Sequence, residues 1–340
     1  MSVLSTAAQL ASAALALYAL RRTPEVRRVT VSLRHPILWL PLHNKLSFYV
    51  QNQQWKKHFP REKWGNTLRV EEVRLGAHSA GEELVSLLTV PRHRRGMGAL
   101  LWFHGGGHLA GSAAADQLYC ARLAQELGVP VLNVEYRLAG QHPYPSDIDD
   151  GVQALRWLLQ RAESLGVSPD NIAVAGASAG AGIAASVAQR AHDAHLPVAF
   201  QALVYPMLDD RTGFLDDAEH RGAFIWSARS NVRAWNRYLN GRAGAADLPE
   251  DTAPARRVSL AGLPATWIGC GTLDLFYPEN RAYAERLVRA GVEVETHWVE
   301  GMYHGADGML PTARASQDMW NSMVRAIRRG LHLHAETAPR

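Results

Sequence analysis

The stretch Ile172-Ala173-Val174-Ala175-Gly176-Ala177-Ser178-Ala179-Gly180 decides the fold of this chain. Its first four residues are apolar and predict a buried strand, and the small residues from 179 to 191 predict a helix. Between them lies the spacing G-x-S-x-G, which is typical of a serine on a tight strand-to-helix turn. Glycine is needed on both sides, because a larger side chain would strike the neighbouring strand or helix. Ser178 is therefore a candidate nucleophile in an α/β fold.

Short apolar runs alternate with longer helical stretches from residue 68 onward. Strands are predicted at 70–75, 83–90, 99–103, 131–135, 172–175, 200–205, 265–270 and 292–299. Helices are predicted at 114–127, 151–160, 179–191, 278–290 and 315–329. Asp149 or Asp150 is the expected N-cap of the second helix. Continuous apolar strands joined by helices indicate a mostly parallel sheet with helices on both faces. Residues 67–208 and 256–340 are thus predicted to form one catalytic α/β domain.

Two segments interrupt this alternation and are predicted to form a cap over one end of the sheet. The first, residues 1–66, is basic and rich in aromatic residues. The second, residues 209–255, carries Trp226, Trp235 and Tyr238 on a predicted helix. Each segment is too short to bury a large core alone, so we expect both to pack on the main domain.

A serine hydroxyl is a weak nucleophile, so a base and an acid that orients the base are expected further along the chain. On sheets of this type the order is serine, acid, histidine. Asp274 follows a predicted strand and is the first candidate acid, whereas Asp209 and Asp210 also follow a strand and remain alternatives. His304 lies in the loop after the last strand and is the candidate base. His297 lies inside that strand, and we expect a structural role for it.

The glycine run His104-Gly105-Gly106-Gly107 follows a predicted strand and has no side chains that would block its amides. Acyl transfer develops negative charge on an oxygen, and amides aimed at that oxygen often provide the largest stabilisation. Gly106 and Gly107, with the amide of Ala179 at a helix start, are the candidate oxyanion donors. His104 is expected to hold the loop by a hydrogen bond rather than to carry protons.

No cofactor and no metal is expected. Two G-x-G-x-x-A matches, at 105–110 and 180–185, lack the acidic residue about 20 positions further on that a dinucleotide site requires. Cys120 and Cys270 have no second Cys or His at metal-site spacing. We expect both to be buried free thiols in a reducing compartment.

Composition and charge exclude several classes of protein. Of the 340 residues, 47% are apolar and 20% charged, which is ordinary for a folded globular chain and excludes disorder as the main state. Residues 1–66 hold ten Lys or Arg and two Glu, a net charge of +8, whereas the remainder carries −4. No helix-turn-helix, zinc finger or RNA-binding aromatic motif accompanies this basic arm, so nucleic acid is not an expected partner.

Residues 3–20 form an apolar stretch directly before the first arginines. Its length is marginal for a bilayer of ~30 Å, and the basic residues follow it, unlike those of a secretory signal. A helix packed on the protein's own body is the first interpretation. Attachment to an anionic membrane surface and a membrane anchor are the alternatives. We therefore expect a cytoplasmic protein, with peripheral membrane contact through the basic N-terminal segment as an alternative.

Five motifs in this order make the chain resemble the hormone-sensitive-lipase-like esterases, bacterial family IV of the α/β-hydrolase fold. They are 104–107 with 111–112, 135–139 running into 142–145, 176–180, 271–274 and 303–305. The resemblance implies an α/β-hydrolase fold with a helical cap. It also implies that Ser178, Asp274 and His304 form a catalytic triad and that Gly106, Gly107 and Ala179 form the oxyanion hole.

The chain departs from the family pattern at three places near the site. Gly140-Gln141 stands where Pro-Glu is usual, His108 where an aromatic or aliphatic residue is commoner, and Ala177 where Asp or Thr is typical. The resemblance implies a cofactor-free serine carboxylesterase that hydrolyses short to medium acyl esters through an acyl-enzyme intermediate. Deacetylase, amidase and lactonase activities on the same machinery are alternatives. A non-catalytic binding protein, like the plant gibberellin receptors that lack the histidine, is disfavoured because all three triad candidates are present.

Overall fold

A central eight-stranded sheet organises the molecule. The computed structural model describes residues 3–40, 67–77, 83–214, 219 and 221–333, with the backbone alone for residues 3–11 and 15. The strands are β1 Leu68–Ala77, β2 Glu83–Pro91, β3 Ala99–Phe103, β4 Val131–Val134, β5 Ile172–Ala177, β6 Phe200–Val204, β7 Ala265–Gly271 and β8 Val294–Val299. Their order across the sheet is β1-β2-β4-β3-β5-β6-β7-β8. Strands β3 to β8 run parallel, whereas β2 pairs antiparallel with both β1 and β4, which confirms the mostly parallel prediction.

Helices cover both faces of this sheet. They are α1 Val3–Arg28, α2 Ala113–Leu127, α3 Ser146–Gln160, α4 Ala179–Asp193, α5 Ala228–Tyr238, α6 Tyr277–Arg289, the short α7 Ala306–Met309 and α8 Arg314–Gly330. Short 3-10 turns occur at Val31–Leu33, Pro36–Trp39 and Pro254–Arg256.

Alternation along the buried strands produces one apolar core on each face. In β5, Ala173 and Ala175 join the core beneath α2 and α8, whereas Ile172 and Val174 join the core beneath α3, α4 and α6. Successive side chains of a strand point to opposite faces, so a strand with both faces covered is apolar throughout. Cys120 and Cys270 are fully buried free thiols, as predicted.

Helix α3 begins earlier than predicted, and neither aspartate caps it. It starts at Ser146 with Pro145 at the N-cap position. The Asp150 carboxylate instead accepts hydrogen bonds from the amide and guanidinium of Arg137, and Asp149 pairs with Arg190. The cap prediction was wrong because these carboxylates serve ion pairs with residues distant in the chain.

The insertion at 209–255 has a shorter helix than expected. Helix α5 begins after Ser227, whose hydroxyl accepts a hydrogen bond from the amide of Ser230 at 3.2 Å. Trp235 and Tyr238 lie on this helix, whereas Trp226 precedes it, so the placement of Trp226 on the helix was wrong. A serine N-cap favours a helix start at this point, because its side chain satisfies an otherwise unpaired amide.

The N-terminal segment packs closely on the body from about residue 22 to residue 40. Val26 and Val29 are buried in the core, and the Arg22 guanidinium donates to the carbonyl of Ala223 at 2.8 Å. Thr30 then bonds backbone to backbone with Gly301, beside the loop that carries His304. The rest of the predicted N-terminal cap, residues 41–66, lies outside the described residues.

The predicted packing of residues 3–20 on the body is not observed where side chains are described. Leu17 and Leu20 are 51% and 70% exposed, and between residues 12 and 20 only Tyr18 and Ala19 are half-buried. The apolar residues in this part of α1 are distributed on all sides of the helix and do not form one apolar stripe. Packing on the α/β domain could therefore bury only some of them. Among the helices in the described ranges, none is long and apolar enough to cross a membrane.

Candidate active site

Ser178 occupies the turn between β5 and α4. Its φ of +57° is strained for a residue with a side chain, and its amide donates to the carbonyl of Val204 at 2.9 Å. A methyl group at Gly176 would lie 2.5 Å from the backbone of Gly180, and one at Gly180 would overlap the carbonyls of Phe103 and His104. The steric argument for small residues beside the serine therefore holds in the folded chain.

Ser178, His304 and Asp274 form a continuous chain of hydrogen bonds. His304 Nε2 lies 3.0 Å from Ser178 Oγ, and Nδ1 lies 2.7 Å from Asp274 Oδ2. An ionised carboxylate only accepts hydrogen bonds, so Nδ1 carries the proton and Nε2 is left to accept from the serine. Asp274 is fully buried and also accepts from the amide of Phe276 at 2.9 Å. This arrangement can remove the serine proton as Oγ attacks.

The alternative acids, Asp209 and Asp210, form ion pairs with arginines. Asp209 forms a two-pronged ion pair with Arg211, and Asp210 pairs with Arg256 and accepts from the amide of Gly244. Neither contacts His304, so the geometry favours Asp274 as the acid. His297 lies on β8, as expected of a structural residue.

Aromatic rings surround the imidazole of His304. The ring of Tyr205 meets it edge-on at a centroid distance of 4.7 Å, Phe276 at 5.2 Å, and the Trp226 indole lies tilted at 6.3 Å. Trp226 belongs to the insertion at 209–255, so this insertion supplies one wall of the site. Its proximity to His304 was not legible in the sequence, because it depends on how the insertion folds back.

The glycine loop lies beside Ser178 with its amides available. In the described part of the chain, the amides of Gly106 and Gly107 donate to no protein acceptor, and Ala179 opens α4, where helix amides are unpaired. Gly107 has a φ of +62°, and a methyl group there would overlap the indole of Trp226. The predicted oxyanion donors of the glycine loop therefore lie on a loop that packs beside Ser178 at Gly105, and their amides have no acceptor in the described part of the chain.

His104 holds this loop, as expected. Its Nδ1 lies 2.8 Å from the carbonyl oxygen of Gly105, and its ring stacks on Tyr136 at 4.1 Å. The Tyr136 hydroxyl donates to the His104 carbonyl at 2.7 Å. Burial lowers the pKa of His104 to about 4, which keeps the ring neutral at ordinary pH and unsuited to proton transfer.

A second buried histidine–carboxylate pair lies next to the glycine loop and was missed in the sequence. His108 Nδ1 lies 2.7 Å from Asp147 Oδ2, and Asp147 Oδ1 accepts from the Tyr238 hydroxyl at 2.8 Å. The His108 ring also stacks on Tyr238 at 4.1 Å. This network joins the glycine loop to helix α5 of the insertion. The departure from the family residue at position 108 was the only signal that could have pointed to it.

Comparison with known proteins identifies the family. Residues 100–307 match the alpha/beta hydrolase fold family. Esterase LipI of Mycobacterium tuberculosis is 35% identical over 234 residues, which cover 68% of this chain and 73% of LipI. Carboxylesterase NlhH of the same species is 33% identical over 269 residues, covering 78% of this chain and 84% of NlhH. The structure titled Bacterial Heroin Esterase superposes with a TM-score of 0.79 at 31% identity, covering 90% of this chain and 99% of that one.

Fold, motifs and relatives agree, and the chain belongs to the hormone-sensitive-lipase-like family of α/β-hydrolases. It is a carboxylic ester hydrolase, and its substrates are esters.

Proposed function

We propose that the chain is a serine carboxylesterase that works through an acyl-enzyme intermediate on Ser178. His304 Nε2 takes the hydroxyl proton as Oγ attacks the ester carbonyl, and Asp274 stabilises the resulting imidazolium. The amides of Gly106, Gly107 and Ala179 bind the oxyanion. His304 then protonates the leaving alcohol, and water activated by the same nitrogen attacks the acyl-enzyme to release the acid. The observation that carries this proposal is the Asp274–His304–Ser178 hydrogen-bond chain.

The preferred esters in this proposal have short to medium acyl chains. Ser178 and His304 are each only 6% exposed, and the indole of Trp226 closes on Gly107 above the glycine loop. A site enclosed in this way disfavours bulky acyl groups. Efficient hydrolysis of emulsified long-chain triglyceride with interfacial activation would contradict this part of the proposal.

A fluorophosphonate probe tests the nucleophile directly. The probe is expected to label Ser178 alone, as read by peptide mass spectrometry, and Ser178→Ala should abolish both labelling and hydrolysis of p-nitrophenyl esters. Ser186→Ala is the matched control, since Ser186 is a buried serine further along α4 and outside the site. Labelling at another residue, or near-normal turnover by Ser178→Ala, would refute the assignment. A substrate panel that includes aryl amides and lactones separates esterase activity from amidase and lactonase activity.

We also propose that the first part of α1 contacts anionic membrane surfaces. Exposed Leu17 and Leu20 stand directly before exposed Arg21, which combines an apolar surface with positive charge. Such a combination favours the boundary between headgroups and acyl chains of an anionic bilayer.

A further inference from the structure

A cavity of about 410 Å³ lies between helices α2 and α8, behind the loop that carries His304. Its lining includes aromatic and sulfur-containing side chains of both helices and of β7; among them are Tyr119, Trp267, Met319, Trp320 and Met323. Its volume falls within the range of small-molecule sites, about 300–1,000 Å³. Neither Ser178 nor His304 is among the lining residues, and Tyr205 stands between the cavity and the imidazole.

Two carboxylates on different elements face this largely apolar space. Asp116 of α2 accepts from the indole nitrogen of Trp102 at 2.9 Å, and Asp307 of α7 accepts from the Tyr205 hydroxyl at 2.9 Å. Both are half-buried. Burial raises the pKa of Asp116 to about 6 and also raises the pKa of Asp307. Each carboxylate therefore lies where a positive charge would stabilise its ionised form.

No lysine or arginine among the described lining residues pairs with the two aspartates. Among the lining residues that the structure describes, Arg122 is the one cation. Its guanidinium pairs with Glu126 at 2.7 Å and stacks over the ring of Trp320 at 3.9 Å. Because Arg122 is already paired with Glu126, no cation among the described lining residues forms an ion pair with Asp116 or Asp307.

An unpartnered polar atom on the same wall independently points to a ligand. Ser316, at the start of α8, is among the residues that line the cavity, and it is only 3% exposed. Its hydroxyl has no hydrogen-bond partner in the described part of the chain. Buried polar groups are nearly always paired, so an unpaired hydroxyl on a residue of the cavity wall indicates a missing polar partner.

We propose that this cavity binds a small organic ammonium ion, with its charged head toward Asp116 and Asp307 and its apolar body against the aromatic rings. An ammonium nitrogen carries three donors and a positive charge, and carboxylates are its strongest hydrogen-bond acceptors. The rings of Tyr119 and Trp320 meet edge-on at a centroid distance of 4.6 Å and form part of the apolar wall for the body of the ligand. This site is separate from the ester site and lies beyond the proposed hydrolysis.

Isothermal titration calorimetry of the full chain with 2-phenylethylamine tests the proposal. The uncharged analogue 2-phenylethanol is the matched ligand control, because it differs in the charged head alone. The amine should bind, and the alcohol should bind at least about tenfold more weakly, since a hydrogen bond to a charged group contributes about 1.5–3 kcal/mol. Heat of binding does not depend on turnover, so the outcome is independent of the role of Ser178.

Substitutions locate the site. Asp116→Asn and Asp307→Asn should each weaken amine binding by about tenfold or more, whereas Asp318→Asn, an exposed carboxylate on α8, should not. Two separate variants guard against the misfolding of one. The proposal is overturned if the amine does not bind, if the alcohol binds equally well, or if both cavity variants bind the amine as tightly as the unmodified chain.

Discussion

The indole of Trp226 lies so close to the α-carbon of Gly107 that a methyl group there would overlap the ring. The insertion at 209–255 therefore rests directly on the glycine loop beside Ser178. Access to the ester site and the geometry of the oxyanion donors are consequently linked through one contact.

Gly107→Ala should impair hydrolysis strongly. The added methyl group meets the Trp226 ring, and alanine is strained at a φ of +62°. Displacement of one oxyanion donor lowers kcat by about 10²–10³. Steady-state kinetics with a p-nitrophenyl ester measure the loss, and Trp226→Ala in the same chain should restore part of it by removing the overlap. Unchanged kcat in Gly107→Ala would remove Gly107 from the oxyanion hole.

Asp274→Asn should lower kcat by on the order of 10⁴, because the amide no longer holds the productive histidine tautomer. Asp210→Asn is the matched control, since its carboxylate is also fully buried but pairs with Arg256. It should reduce stability by about 3–5 kcal/mol and leave the pH profile of kcat unchanged. The reverse ranking in kcat would transfer the acid role to Asp210.

The free energy of unfolding should fall as pH drops from about 6.5 to about 4 through the contribution of His104. Burial lowers its pKa to about 4 in the folded chain, whereas an unfolded histidine titrates near 6.5. In this window the unfolded state binds a proton that the folded state does not, so acid destabilises the fold by up to roughly 3 kcal/mol. Urea denaturation at pH 7 and pH 5 measures the change. In His104→Gln the free energy of unfolding should change less between pH 7 and pH 5 than in the unmodified chain. The exposed control His93→Gln should leave this change as it is. Equal changes in the two variants would refute the assignment of the effect to His104.

His108→Phe should destabilise the chain, because the buried Asp147 carboxylate loses its hydrogen bond to the His108 ring. Breaking a buried pair costs about 3–5 kcal/mol. Adding Asp147→Asn should recover part of that loss, so the double variant is less destabilised than the sum of the singles. Denaturant unfolding of the four proteins measures the coupling, and strict additivity would show that the pair contributes nothing.

Deletion of residues 1–20 should weaken binding to anionic vesicles without ending hydrolysis, because the apolar and exposed part of α1 is removed. Vesicle sedimentation with and without anionic lipid measures this effect.

Deletion of residues 1–66 should instead cause aggregation or an altered chain-length preference, since Val26, Val29 and Leu33 are buried in the core. A monodisperse 1–66 deletion with an unchanged substrate profile would show that the segment is not a cap.

The local sequence pattern alone determined the serine turn and the class of the sheet. The apolar run at 172–175, the glycines around Ser178 and the small-residue helix specified the turn that presents the serine, because these constraints act between near neighbours. The alternation of strands and helices likewise predicted the mostly parallel sheet, since the two faces of each strand must be covered by the helices between strands.

Tertiary structure decided what depends on contacts between distant residues. Asp274, Asp209 and Asp210 all follow strands, and only the closure of the loops showed which carboxylate reaches His304. The pairing of Asp150 with Arg137 removed it from the helix cap that local rules predicted. The links from Trp226 to Gly107 and from His108 to Asp147 depend on how the insertion and the loops fold back. Hydrophobic periodicity reports which side of an element is buried but carries no information on which side chains meet there, so these contacts followed only from the folded chain.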